Sequence, residues 1–442
     1  MTDNLDNGTP QKKTNIRWGI AFMLWLAIAI NNIDRGNLSV AIPLIAKEFH
    51  LSPAIMGVVL SSFFWPYFLL QLPAGWFADK VGHRVALALA VGSWSIATVA
   101  TAIARGTASL IGLRILLGIG ESGAFPGAAG VTAKWFPDKE RSRVTAIYDC
   151  GAKFGTAIAM PLTAWLIILT GWRGAFIISG ALGLIWAVVW WMFYREPEKQ
   201  KYINAAELTY IRTGQIKHHG MGSAQPMKWY DLLKYRNIWA MGLGLFAMDY
   251  VTFFYYTWFP VYLVQVHKLP LMKMGLIASV PLMISVFAEL VGGGLFADYL
   301  YSRGWPITKV RKLLLVSGHL VSASIIIAVF AHTVVWAIVV MTICKSGNAI
   351  ASSQQWSLAG DVAPTNMTSQ VGGLQNMMGN VAGVVGPVIT GFILQVTHSF
   401  DLALFVIGGV SVLGAMNFLL VLGKVEPIQP KENKNRTFVA SV

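Results

Sequence analysis

Asp34 and Arg35 stand side by side inside the first apolar stretch of this chain, and Arg114 and Glu121 lie seven residues apart in another. Charge at membrane depth is costly, so an ionisable residue kept there marks an ion, proton or substrate path by default. Seven residues are about two helical turns, which points Arg114 and Glu121 the same way. Carboxylates exchange protons and guanidinium groups attract anions, so the four residues suit the joint handling of an anion and a proton. Five more charges fall at similar depth: Asp149, Lys153, Asp249, Glu289 and Lys345. Asp149 and Lys153 have the i,i+4 spacing of a pair on one helix face, which suits structure and function equally. Asp249 and Glu289 are read as bonded structural groups or as partners of Lys345. His319 is expected to be packed or hydrogen-bonded, and the aromatic run FFYYTWF from Phe253 to Phe259 to serve packing or an interfacial belt.

The elements that carry these charges follow from composition. Of 442 residues, 55% are hydrophobic and 12% charged, which excludes an ordinary soluble protein. A spanning helix needs about 20 mainly apolar residues. Twelve such stretches occur, near 18–42, 54–77, 85–105, 108–131, 143–170, 174–194, 237–264, 272–297, 312–332, 334–359, 370–396 and 401–423. The expected fold is therefore all-helical and membrane-integral, with six helices in residues 18–194 and six in 237–423. A polar linker over 195–236 divides them, and tails of 1–17 and 424–442 flank them. Asn204 to Gly214 has helical composition and is expected to form short surface helices.

The net charge of +14 does not mark a nucleic-acid protein. With the N-terminus inside, 25 of the 34 Lys and Arg fall on cytoplasmic loops and tails, which is the positive-inside rule and sets both termini in the cytoplasm. The polar first 17 residues carry no separate signal peptide, so the first span is expected to direct insertion. Cys150 and Cys344 both fall in spans as small apolar fillers, and no spacing suits a metal or a catalytic nucleophile. The sequons at Asn7, Asn366 and Asn435 lie on the cytoplasmic side and should stay unmodified.

The two halves echo each other. GWFAD, Gly75 to Asp79, recurs as GLFAD, Gly294 to Asp298, each ending the second span of its half. Glycine-rich spans with an embedded proline follow at matching places, Gly151, Gly155 and Pro161, then Gly379, Gly383, Gly386 and Pro387. Small residues allow close helix approach and proline allows bending, and internal repeats around a central site are a common transporter plan.

The loop GWFADKVGHR, Gly75 to Arg84, resembles the signature of the major facilitator superfamily. Closer resemblance, over essentially the whole chain, is to its anion:cation symporter branch, which includes bacterial galactonate, glucarate and hexuronate transporters, sialin and vesicular glutamate transporters. NNIDRGNLSVA (Asn31 to Ala41), LRILLGIGESGAFPG (Leu113 to Gly127), KWFPDKERSR (Lys134 to Arg143) and GGLQNMMGNVAG (Gly372 to Gly383) carry it. The resemblance implies that Asp34 and Glu121 are proton-responsive, that Arg35 contacts the substrate carboxylate, and that Arg114 is a gating partner. It further implies a cytoplasmic latch with Asp79 facing a helix N-terminus or a basic residue, Arg84 belonging to the same loop, and cavity contacts from Tyr67, Trp356 and Asn376.

Two departures bear on the substrate: Asn32 stands where the galactonate transporter has a tyrosine, and Ala152 where it has a glutamine. Lys153 beside the second gap, and Lys345, add positive charge suited to a dicarboxylate such as an aldarate. The resulting expectation is proton-coupled uptake of an organic acid, most simply a sugar acid, by a monomer in the inner (plasma) membrane with no cofactor beyond the proton. Exchange or export, another acid such as tartrate or phthalate, and a non-transporting sensor are the alternatives.

Overall fold

The computed structural model describes residues 13–215, 229–364 and 367–428, and within them every regular element is helical. The sequons at Asn7, Asn366 and Asn435 lie outside the described residues, as do the ends of both tails and part of the linker. The helices are α1 (Ile16–Phe49), α2 (Pro53–Ser61), α3 (Phe64–Val81), α4 (His83–Thr101), α5 (Thr107–Glu121), α6 (Ala124–Trp135), α7 (Asp138–Phe193) and α8 (Ala205–Thr213). They continue as α9 (Arg236–Thr257), α10 (Phe259–Gln265), α11 (Leu271–Ala288), α12 (Phe296–Ser302), α13 (Ile307–Ser322), α14 (Val334–Val362), α15 (Thr368–Thr397) and α16 (Asp401–Leu420).

Among the described residues, eleven helical stretches are long and apolar enough to cross a bilayer. One of them, α7, has 56 residues, or about 84 Å at 1.5 Å per residue, more than twice the hydrocarbon thickness. It breaks at Gly171, where φ is 73° and ψ 171°, a conformation that favours glycine. Spans five and six thus share α7, which gives twelve candidate crossings among the described residues. Large apolar side chains such as Phe287, Val335 and Leu420 are exposed on the bundle surface, as lipid requires.

Spans two, four and seven, read from sequence as continuous, are each broken, between α2 and α3, α5 and α6, and α9 and α10. One cause serves all three. Pro66, Pro126 and Pro260 fall in the first turn of the second piece and cannot donate to the carbonyls of Ser62, Ser122 and Tyr256 four residues earlier. Span eight is interrupted by a π-helical turn over Glu289–Leu295. There α14 comes so close that Gln354 donates to the Gly293 carbonyl at 2.5 Å.

The backbone groups into two compact units. The first comprises Met1–Met221, Phe253–Met283 and Val384–Phe400, and the second Gly222–Thr252, Ile284–Gly383 and Asp401–Val442. This grouping cuts across the six-plus-six division within spans seven, eight and eleven. Within the first unit, glycine allows backbone-to-backbone packing: a Cβ at Gly155 would meet the Ala29 carbonyl at 2.3 Å, joining α7 to α1. Gly57 and Gly391 do the same for α2 and α15. The second unit is built around buried Met241, Leu358, Val371, Phe418 and Leu422. The run from Phe253 to Phe259 is packing and not an interfacial belt: Phe253, Phe254, Tyr255, Trp258 and Phe259 are buried. His319 is likewise packed, beside Phe418 at 5.5 Å. Of the two cysteines, Cys344 is buried but Cys150 is exposed, so only the first is the filler expected.

The linker's first part is fixed to the first unit. Glu207 of α8, fully buried, accepts from Thr14 Oγ1 and Arg17 Nη1, both at 2.7 Å, and from the Ile16 and Arg17 amides. A carboxylate there satisfies the free N–H groups that begin α1 and complements the helix dipole. Arg17 also binds Glu140 at the start of α7, at 3.0 Å, and Glu140 accepts from Tyr210 of α8 at 2.8 Å. Glu207→Ala should cost about 3 kcal/mol, the low end for breaking a buried pair, read as a lower unfolding temperature in detergent, with Glu207→Gln in between. An unchanged temperature would show the cluster to be idle.

Candidate functional site

Asp34 and Arg35 are adjacent in sequence but about 100° apart around α1, and they enter different environments. Arg35 binds Glu121, Nε to Oε2 at 2.5 Å, with Glu121 fully buried. That glutamate ends α5, at the break caused by Pro126. The Arg35 guanidinium also lies over Tyr67 at 4.5 Å and Phe63 at 5.0 Å, and Arg114 covers Phe63 at 5.1 Å. Aromatic faces attract cations and hold guanidinium groups in plane. The geometry therefore joins one member of each charged pair seen in the sequence, Arg35 with Glu121.

Asp34, 1% exposed, turns to a neutral network instead. Its Oδ1 accepts from Asn37 Nδ2 at 3.3 Å. The same Nδ2 donates to Ser179 Oγ at 2.7 Å, and Asn37 Oδ1 accepts from Thr163 at 2.6 Å. Asn37, Thr163 and Ser179 are neighbours of Asp34 that sequence reading missed. The available signal was Asn37 one turn after Asp34. Arg114 is buried and acts electrostatically on both Glu121 and Asp34.

Several buried polar atoms of this cluster lack a hydrogen-bond partner among the described residues: both amide atoms of Asn31, Asp34 Oδ2, Arg35 Nη2, Arg114 Nε and Nη1, and Glu121 Oε1. Buried polar groups are nearly always satisfied. Unsatisfied valence is thus gathered around the Arg35–Glu121 pair.

The other expected contacts are distributed as follows. Asn32 donates to its own helix at Ile28 O, 2.9 Å, and its Oδ1 accepts from Thr156 at 3.3 Å. With Arg35, Gly36, Ala159, Met160 and Tyr256 these two line a cavity of about 20 Å³, room for about one water and too small for a sugar acid in this conformation. Tyr256 was passed over in sequence as one more aromatic. Lys153 pairs with Asp149 at 3.4 Å, both side chains well exposed, as the i,i+4 spacing predicts.

Trp356, half exposed, and Asn376, which accepts from Asn380 Nδ2 at 3.0 Å, belong to the other compact unit. Asp79 is exposed in the last turn of α3 and acts electrostatically on His83 at the start of α4. Arg84 is held by the Trp191 carbonyl at 2.6 Å and lies over its indole at 4.2 Å. No group of three or more His, Cys, Asp or Glu among the described residues could hold a metal.

Helices long and apolar enough to cross a bilayer, many times over, make this a multi-pass membrane protein, and its family and relatives make it a transporter and not an enzyme. The Major Facilitator Superfamily profile matches residues 24–387, and the chain belongs to that family. It is 35% identical to the D-galactonate transporter of Escherichia coli O6:H1 over 92% of this chain and 95% of that one. To a probable galactarate/D-glucarate transporter of Bacillus subtilis it is 33% identical, over 96% and 95%. Among solved structures, a bacterial homologue of the human lysosomal transporter Spinster, inward-facing and occupied, superposes with a TM-score of 0.76 at 19% identity, over 93% of this chain and 97% of that one. That likeness supports the fold alone.

Proposed function

We propose that this chain imports a sugar acid together with protons, by alternating access of its two six-helix halves, across the inner (plasma) membrane with both termini cytoplasmic. The observation that carries the reading is the buried Arg35–Glu121 ion pair, with Asp34 and Arg114 beside it. A carboxylate substrate and the Glu121 carboxylate compete for one guanidinium. Protonating Glu121 removes its charge and frees Arg35 for the substrate; losing the proton after substrate release restores the pair. Asp34, tied to Asn37, carries the second charge change. The relatives named for galactonate, galactarate and glucarate support a polyhydroxy acid, and Arg35 beside Asn32, Thr156 and Tyr256 offers the mixture of charge, amide and hydroxyl that such a molecule needs.

Uptake by the reconstituted protein of galactonate, glucarate, glucuronate, tartrate, phthalate and neutral galactose, with and without an inward proton gradient, tests this. Each net charge moved gains about 2.3 kcal/mol per 100 mV, so two protons with a monoanion produce a current and two with a dianion do not. Gradient-driven accumulation of a sugar acid is the expected result. Exchange without gradient-driven accumulation would make the chain an antiporter.

A further inference from the structure

The C-terminal half contains an acid and a base that the mechanism above leaves idle. Asp249 lies on α9 and Lys345 on α14, which are the first and fourth spans of that half, just as Asp34 on α1 and Arg114 on α5 are the first and fourth of theirs. The repeat marked by GWFAD and GLFAD thus presents an acid on its first span and a base on its fourth, twice over.

Lys345 is 7% exposed. Its Nζ donates to Thr252 Oγ1 and to Asn348 Oδ1, both at 3.0 Å. Asn348 is itself anchored by its Nδ2 on the Met248 carbonyl at 2.9 Å. Thr252 is one turn beyond Asp249 on α9, and Asn348 one turn beyond Lys345 on α14, so the ammonium is held between the two helices on the face of α9 that carries Asp249. On a third side α15 approaches so closely that a Cβ at Gly379 would lie 2.7 Å from Asp249 Oδ2. Lys345 acts electrostatically on the Asp249 carboxylate, and Asp249 remains partly accessible.

A buried ammonium needs compensation, and an ammonium has three donors. Here two of them rest on neutral oxygens. The lysine therefore remains hydrogen-bonded whether the neighbouring carboxylate is ionised or protonated. That tolerance of two charge states separates a proton carrier from a purely structural ion pair, whose base is stranded once its acid is neutralised.

We propose that Asp249 is a further proton-carrying carboxylate of this transporter, with Lys345 as its counter-charge and Thr252 and Asn348 holding the ammonium through both states. The proposal rests on proton-driven uptake and adds one carboxylate to the coupling count. In proteoliposomes, protons and labelled substrate are counted together with D-galactonate or D-glucarate, whichever the wild type accumulates. Asp249→Asn should lower the proton-to-substrate ratio by about one, and so should Asp249→Asn combined with Lys345→Gln, which leaves no uncompensated charge behind. An unchanged ratio in a proton-coupled protein overturns this inference alone; a wild type that moves no protons with either acid overturns it together with the uptake mechanism. A second measurement needs no transport: infrared difference spectra of purified protein between high and low pH should lack one carboxylic-acid C=O band in Asp249→Asn, and identical spectra would overturn the assignment.

Discussion

Arg35→Ala is expected to reduce sugar-acid uptake below detection, for two separable reasons. The first concerns the substrate: removing one partner of a buried, hydrogen-bonded charge pair costs about 2–5 kcal/mol. At about 1.4 kcal/mol per decade that is about a 30- to 4,000-fold loss of affinity. The second concerns the protein, since Glu121 is fully buried and Arg35 is its ion-pair partner. An orphaned buried carboxylate destabilises by about 3–5 kcal/mol. Combining Arg35→Ala with Glu121→Gln separates the two, because the neutral amide removes the stranded charge. The double variant should regain most of the lost thermal stability in detergent and still bind no substrate. Arg35→Lys is the stringent control. It keeps the charge but loses the planar fork that lies over Tyr67 and Phe63, so uptake should stay far below wild type. Uptake by Arg35→Ala within a few-fold of wild type would remove Arg35 from the substrate site.

The charges were legible in the sequence because the bilayer makes them rare, and Asp34, Arg35, Arg114 and Glu121 do gather in one buried cluster. Their pairing was not legible. Adjacency in sequence suggested Asp34 with Arg35, whereas helical rotation sends one to Asn37 and the other to Glu121. Neutral partners were missed for a related reason: Asn37, Thr163 and Ser179 are ordinary in a membrane helix, and only the fold brings α1 and both parts of α7 around one carboxylate. Hydropathy found all twelve crossings yet overlooked the breaks at Pro66, Pro126 and Pro260, since a missing N–H does not change apolarity. Glu207 was one polar residue in a polar linker. Its burial against α1 became visible only with Arg17 and Glu140 in place.

Gly57→Val should reduce uptake strongly without touching any charge. At the end of the first unit distal to α8, α2 and α15 meet backbone to backbone: a Cβ at Gly57 would lie 2.4 Å from the Pro387 carbonyl, and one at Gly391 would lie 2.4 Å from the Pro53 carbonyl. Both obstacles are main chain, which cannot rotate aside as a side chain can. In the alternating access proposed above, this contact forms in one state and separates in the other, so a bulky residue penalises only the closed arrangement. Overpacking typically costs about 1–3 kcal/mol, which at about 1.4 kcal/mol per decade is about a 5- to 140-fold shift away from closure at this end. Uptake should fall accordingly while substrate binding survives, because Gly57 is remote in sequence from Arg35 and Glu121 and carries no polar group. Gly92→Ala is the matched control, with nothing within 4 Å of its added Cβ, and should transport as wild type does. Equal uptake by Gly57→Val and Gly92→Ala would mean that the α2–α15 contact does not open and close in the transport cycle, and the moving surfaces would have to be sought elsewhere in the fold.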